Sequence, residues 1–159
     1  MTDKNSVNQM TRAALKAAIL EHEIAEFGPD ALSGQMIDKM LNSKLCLNLW
    51  FSVKNVLLAY GFVTKRRGNI YRLERLCVTE EGRFQDRLGT YLHNALIDHD
   101  VKSIFQCYVP ERSVREQYWM KAHGWIAVGI AKDYYHSGDA IEFLRTGYET
   151  IHDQDQSVS

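Results

Sequence analysis

Tyr71-Arg-Leu-Glu-Arg-Leu-Cys-Val-Thr-Glu-Glu-Gly-Arg-Phe-Gln-Asp-Arg-Leu-Gly-Thr-Tyr-Leu-His-Asn-Ala-Leu96 reads as an apolar strand, a charged turn containing a glycine, and an amphipathic helix. Leu73, Leu76, Cys77 and Val78 form a short β-compatible run that Thr-Glu-Glu-Gly stops. Leu88, Tyr91, Leu92, Ala95 and Leu96 recur at the spacing that buries one face of a helix. Between them, Arg83 and Arg87 flank a predicted helix start, where unpaired amides and the positive end of the peptide dipoles favour an anion. A pyrophosphate suits that seat. An ordinary strand-loop-helix connection with solvated arginines suits the same pattern.

At 159 residues the chain has room for one domain with a proper core and too little for two ordinary ones, so a single domain is expected. Its 19 basic and 20 acidic side chains leave a formal charge of -1, which argues against nucleic acid or an anionic membrane as the main partner. Any anion site must be local. Cys46, Cys77 and Cys107 are odd in number, far apart and set in apolar runs, the pattern of reduced core thiols rather than of disulfides or a zinc site. No stretch approaches the roughly 18 apolar residues of a spanning helix, and the start Met-Thr-Asp-Lys-Asn lacks the apolar centre of a secretory signal. A soluble, cytoplasmic protein is the expectation.

Outward from the opening stretch, residues 1–11 read as a polar extension, 12–149 as the folded domain and 150–159 as a polar tail. Leu15, Ala18, Ile19 and His22 share a helical face that Gly28-Pro29-Asp30 ends, and Met36, Ile37, Met40 and Leu41 make a second helix. Strands are predicted at Leu45 to Phe51, Val56 to Thr64 and up to Val78, a three-strand meander with turns at 52–55 and 65–69. After a helix from Leu88 to about residue 98, Ile104 to Val109 reads as a strand, Glu111 to Ala122 as a helix stopped by His123-Gly124, and Trp125 onward as a strand. A loop or hairpin over 133–139 leads to a last strand at Ala140 to Leu144. This order implies an α/β fold with a mixed parallel and antiparallel central sheet flanked by helices.

The order resembles that of the GNAT superfamily of acetyl-CoA-dependent N-acyltransferases over roughly residues 12 to 146. The resemblance lies in Val56-Leu-Leu-Ala-Tyr-Gly-Phe62, in Leu73 to Val78 followed by Arg83 to Leu92, and in Tyr118-Trp-Met-Lys-Ala-His-Gly-Trp125 with Tyr134, Tyr135 and Gly138 to Phe143. It implies that Leu76, Cys77 and Val78 meet the pantetheine arm of acetyl-CoA as an added strand would. It also implies that the turn Arg83, Phe84, Gln85, Asp86, Arg87, Leu88, Gly89 and Thr90 holds the pyrophosphate. The family's two small residues in that turn fall on Asp86 and Leu88, with the nearby glycine displaced to Gly89. Asp86 brings a negative charge toward another, and at an effective dielectric of 20 two like charges about 4 Å apart repel by roughly 4 kcal/mol.

The resemblance makes Glu74, four residues before Val78, the candidate base for the incoming amine, against a plainer role as a salt-bridged strand residue. The position of the family's thiolate-protonating tyrosine is Met120, which cannot donate a proton. Tyr118 is the nearby substitute, about 200° around the helix from it, and its plainer role is a core-lining aromatic. No metal motif is present: His93, Asp98, His99 and Asp100 have no recognised ligand spacing and read as solvated. Lys65-Arg66-Arg67 reads as a solvated loop tip, and Trp50, Phe51, Trp119 and Trp125 as core, or else as lining for a protein interface. Two functions are consistent with these residues. One is acetyl transfer to an amine of a small molecule or protein, and the other is a GNAT-fold protein that has lost the chemistry and binds a partner protein.

Overall fold

The computed structural model describes residues 10–84, 87–97 and 103–146. The described residues fall into two compact units: the first runs to Thr64 and resumes over Arg75–Leu96, and the second takes Lys65–Glu74 and resumes at Ile97. The elements are α1 (Arg12–Phe27), α2 (Gly34–Asn42), β1 (Cys46–Val53), β2 (Val56–Lys65), β3 (Ile70–Val78), α3 (Leu88–Ile97), β4 (Ile104–Pro110), α4 (Val114–Ala122), β5 (Ile126–Tyr135) and β6 (Gly138–Thr146). The strands form one mixed sheet in the order β1-β2-β3-β4-β6-β5, with β3 and β4 parallel. The predicted element order is the observed one.

In the first unit, α1 starts where the Thr11 hydroxyl accepts from Ala14 N at 3.1 Å. It stops at Gly28, whose φ of 51° suits a residue without a side chain. Ser33 caps α2 in the same way, accepting from Met36 N at 3.2 Å. The apolar faces of the two helices bury Leu15, Ile19, Ile37, Met40 and Leu41 together with Leu57, Tyr60, Phe62 and Cys77 from the strands. β1 and β2 pair antiparallel from Cys46↔Thr64 to Val53↔Val56, and Lys54 and Asn55 close the hairpin, both at positive φ as a twist-matched two-residue turn requires.

One buried charge organises this unit. Glu23 is fully buried, and its Oε1 accepts from Leu32 N at 2.8 Å and from Arg75 Nε and Nη2 at 3.1 and 2.9 Å. Its Oε2 accepts from the Tyr60 hydroxyl at 2.5 Å. Arg75 also donates to the Asp30 carbonyl at 3.0 Å and lies over the Phe27 ring at 3.7 Å. The carboxylate thus fastens α1, the segment leading to α2, β2 and β3 at a single point, with both of its oxygens hydrogen-bonded. Burial first, then the nearby Cys77 and Glu23, raises the Tyr60 phenol far above its usual range, so it remains a donor to the carboxylate. Burial likewise pushes the Cys77 thiol up to about 11, which leaves it uncharged at neutral pH.

The end of β3 is clipped onto β2. Thr79 N donates to Leu58 O at 2.9 Å, while the Thr79 hydroxyl donates to Leu57 O at 2.8 Å and accepts from Gly82 N at 3.2 Å. Gly82 then passes so close to β2 that a Cβ there would lie 2.0 Å from Leu58 O. A 3₁₀ turn over Glu81–Phe84 follows, and α3 begins at Leu88. The predicted buried stripe of α3 is rotated: Leu92, His93, Leu96 and Ile97 face inward, while Ala95 and Tyr91 are exposed, the latter with its ring centroid 5.5 Å from that of Phe51. The reading of His93 as solvated is therefore corrected, since it is fully buried with Nδ1 2.9 Å from Asn94 Oδ1. Asp98, His99 and Asp100 lie outside the described residues.

In the second unit, β4 alternates inward Phe105, Cys107 and Val109 with outward Gln106 and Tyr108. β4 and β5 both pair antiparallel with β6, and His136-Ser137 turn the β5-β6 hairpin, so of the loop and the hairpin expected over 133–139 the hairpin is observed. α4 begins at Val114 rather than Glu111, because Ser113 N turns back to Pro110 O at 2.9 Å. Of the four aromatics predicted as core, Trp125 is buried and Trp50, Phe51 and Trp119 are half-buried. No helix among the described residues is long and apolar enough to cross a membrane.

Two pairs of stability measurements check these contacts. Gly82→Ala is expected to lower unfolding free energy in urea by at least about 2 kcal/mol, because the new methyl meets the Leu58 carbonyl. Gly34→Ala, whose Cβ would meet only Lys16 Cε at 3.8 Å and Nζ at 4.0 Å, is expected to be neutral or to stabilise by up to about 1 kcal/mol. Glu23→Gln is expected to cost about 3–5 kcal/mol by leaving a buried guanidinium without its counter-charge. Asp38→Asn, which removes the exposed Lys16–Asp38 pair, is expected to cost no more than about 1 kcal/mol.

Candidate active site

β3 carries two chemically different faces. Leu73, Arg75 and Cys77 point to the interior, and Arg72, Glu74, Leu76 and Val78 alternate with them, each half-buried. Pairing of β3 with β4 runs from Ile70↔Ile104 to Leu73↔Cys107, whereas β3 itself continues to Val78. Beyond Leu73 no register pair with β4 is formed among the described residues. Cys77 is buried, so toward a ligand along this stretch it offers main-chain groups rather than its thiol.

At the predicted anion seat, Arg87 is exposed, has φ 59° and accepts from Tyr91 N through its carbonyl at 2.9 Å, which places it just ahead of α3. The first-turn amides of Leu88, Gly89 and Thr90 face away from the helical ladder, as in any helix start. Arg83 lies one turn earlier in the chain. It belongs to the preceding 3₁₀ turn and forms a surface ion pair with Glu26 at 3.3 Å, with 61 % of its side chain exposed. An exposed pair of this kind holds its partners weakly. Of Phe84 the structure describes the main chain of the turn, and Gln85 and Asp86 lie outside the described residues.

The second unit gathers a polar and aromatic cluster on one sheet face. Glu74 pairs with Arg66 at 2.6 Å and has 15 % of its side chain exposed. Arg72 Nε donates to Gln106 Oε1 at 3.2 Å, and its guanidinium lies 5.2 Å from the Tyr108 ring centroid. Gln106 Nε2 donates to the Tyr108 hydroxyl at 3.0 Å and to Glu142 Oε1 at 3.2 Å. Tyr108 stacks on Tyr134 with centroids 4.2 Å apart, and the Tyr135 hydroxyl donates to the Tyr108 carbonyl at 2.8 Å. Tyr134 is 41 % exposed, yet partial burial raises its phenol above the usual value, with Arg72 opposing and Glu74 adding to the rise. It is therefore a neutral hydrogen-bonding group and not a base at neutral pH.

Tyr118 is 69 % exposed on α4, which corrects its reading as a core-lining aromatic, whereas Met120 is buried. Sequence reasoning missed Arg72, Gln106, Tyr108 and Glu142. The signal was present in β4, where Gln106 and Tyr108 alternate with apolar residues and so had to share the face opposite the core.

No family model and no curated protein matches the sequence. Solved structures do match the fold. Ard1 from Thermoplasma volcanium superposes with a TM-score of 0.72 at 13 % identity, covering 87 % of this chain and 95 % of that one. Arabidopsis thaliana Naa50, in complex with a bisubstrate analogue of CoA and a peptide, gives 0.69 at 12 % identity, with 88 % and 97 % covered. A GNAT family acetyltransferase from Elizabethkingia anophelis with acetyl-CoA bound gives 0.63 at 13 % identity, with 79 % and 88 % covered. With the strand order and the parallel β3-β4 pair, these likenesses establish that the chain has the GNAT N-acetyltransferase fold.

Proposed function

We propose that the protein is an acetyl-CoA-dependent N-acetyltransferase. The observation that carries this reading is β3 itself, which leaves register with β4 after Leu73, continues to Val78 and turns through the Thr79–Gly82 corner toward the start of α3. A strand edge of this kind offers main-chain partners to the amides of pantetheine, and the α3 start offers amides and Arg87 to a pyrophosphate. Leu76, Cys77 and Val78 supply the first set, and Leu88, Gly89 and Thr90 the second. Bound acetyl-CoA or CoA in solved proteins of this fold supports the same co-substrate here.

In this reading the Glu74 carboxylate removes a proton from the acceptor ammonium, directly or through water, and the neutral nitrogen attacks the acetyl carbonyl. The C–N bond forms, the C–S bond breaks, the nitrogen gives up its surplus proton to water, and the departing thiolate takes a proton from the Tyr118 phenol, which water then reprotonates. Arg66 orients Glu74 between turnovers. Asp86 weakens the phosphate seat by adding like charge, and Arg83, held only by an exposed pair with Glu26, is available to offset it.

A second reading, a GNAT-fold protein that binds a partner protein without transferring acetyl, is favoured by one observation. Met120, where the family places its proton-donating tyrosine, is a buried apolar side chain.

Release of free CoA thiol, measured against a panel of amines, separates the two. Glu74→Gln is expected to lower kcat/KM about 10²-fold or more, and Tyr118→Phe to lower kcat by roughly 10-fold, both with CoA affinity unchanged. Wild-type rates in both variants would remove them from the mechanism, and no release with any amine favours the partner-binding reading. Asp86→Gly is expected to tighten CoA binding by about 1 kcal/mol or more in calorimetry.

A further inference from the structure

Arg72 differs from its neighbours Arg66 and Arg75 in having a neutral partner. Arg72 is in none of the ion pairs that hold Lys16, Arg66, Arg75 and Arg83. Arg75, three residues along the same strand, is held by the buried Glu23, and Arg66 by Glu74. Arg72 is half-buried, donates Nε to the neutral Gln106 carboxamide and has the face of Tyr108 nearby. These contacts use one of its five N–H donors and leave the two-pronged end of the guanidinium for another acceptor. The half-buried guanidinium is thus held by a neutral carboxamide, and its open fork suits an added anion.

The rest of the cluster says what else that anion carries. Gln106 turns its amide nitrogen to Glu142, so a cation and a carboxylate stand on either side of one carboxamide on the same face. Tyr108 and Tyr134 stack against each other beside them, and Glu74 shares the Arg72 face of β3. All of these residues lie in the second unit.

Resting on the transferase reading above, we infer that Arg72 selects amine acceptors bearing a carboxylate close to the amine, the chemistry of a free amino acid, with Arg72 holding the carboxylate and Glu142 facing the ammonium. The guanidinium fork fits a carboxylate through two parallel hydrogen bonds, which a neutral amide in its place cannot reproduce. Gln106 fixes the guanidinium orientation through Nε and so leaves the fork pre-set.

The test uses the isotope-labelled full chain and matched pairs of probes, α-amino acids and the corresponding amino acid amides from glycine and glycinamide to phenylalanine and phenylalaninamide. The Arg72 Nε–H resonance, assigned with Arg72→Lys, is followed by NMR during titration, and the same compounds are assayed with acetyl-CoA for thiol release. Saturable shifts are expected with the acids and not with the amides. A kcat/KM preference for the acids on the order of 10-fold to 100-fold is expected, although the amides carry the more easily deprotonated amine. Arg72→Gln should erase that preference through KM, with the amides unaffected, and Arg72→Lys should restore part of it. Amides performing as well as acids, or no probe moving the resonance, would overturn the inference. Acid-specific shifts without any binding of CoA would leave the carboxylate site standing and remove the transferase reading instead.

Discussion

The first unit depends on one carboxylate that has no contact with water. Glu23 accepts hydrogen bonds from a main-chain amide, a guanidinium and a phenol, and through them the end of α1, the segment before α2, β2 and β3 meet at a point. Burying a charge costs several kcal/mol, and the arrangement is tolerable because the counter-charge and the remaining hydrogen bonds are all supplied. The benefit is specificity of placement: Arg75 cannot reach Glu23 unless β3 has the correct face inward, and a slip of one residue would put Arg72, Glu74, Leu76 and Val78 into the core.

This constraint joins structure to chemistry along one strand. The residues of β3 that alternate with Leu73, Arg75 and Cys77 include the proposed base and the cation proposed to read the acceptor, and the fold uses its inward positions to hold them in register. The Thr79–Gly82 clip continues the same logic at the strand's end, where hydrogen bonds to Leu57 and Leu58 fix the direction in which the chain leaves. Nothing larger than glycine fits against that carbonyl, so the corner depends on sequence at a single atom.

Much of the fold was legible in the sequence because it is governed by local pattern. The Gly28-Pro29-Asp30 and His123-Gly124 stops each act within a few residues, and their helices end where the pattern puts them. What was not legible depends on partners far away in sequence. Glu23 looks like one more polar residue on an amphipathic helix until Arg75, 52 residues later, lies beside it. The same holds for Arg83, whose partner Glu26 is 57 residues earlier, and for the Arg72–Gln106 pair across parallel strands. The buried stripe of α3 shows a subtler limit: His93 and Ile97 displace Tyr91 and Ala95 from the interior, because an apolar pattern sets a helical face only to within about one residue's rotation of 100°. Tyr118 was misread for a related reason, since an aromatic on a short helix fits a core face or an open one equally well until the neighbouring strands are placed.

The central claim is that acetyl-CoA lies along the second half of β3 with its phosphates at the start of α3. Amide chemical-shift mapping of the full chain during titration with acetyl-CoA tests it most directly. Saturable shifts centred on Leu76–Val78 and Leu88–Thr90 are expected. Saturable shifts centred elsewhere, or none at millimolar ligand, would contradict it.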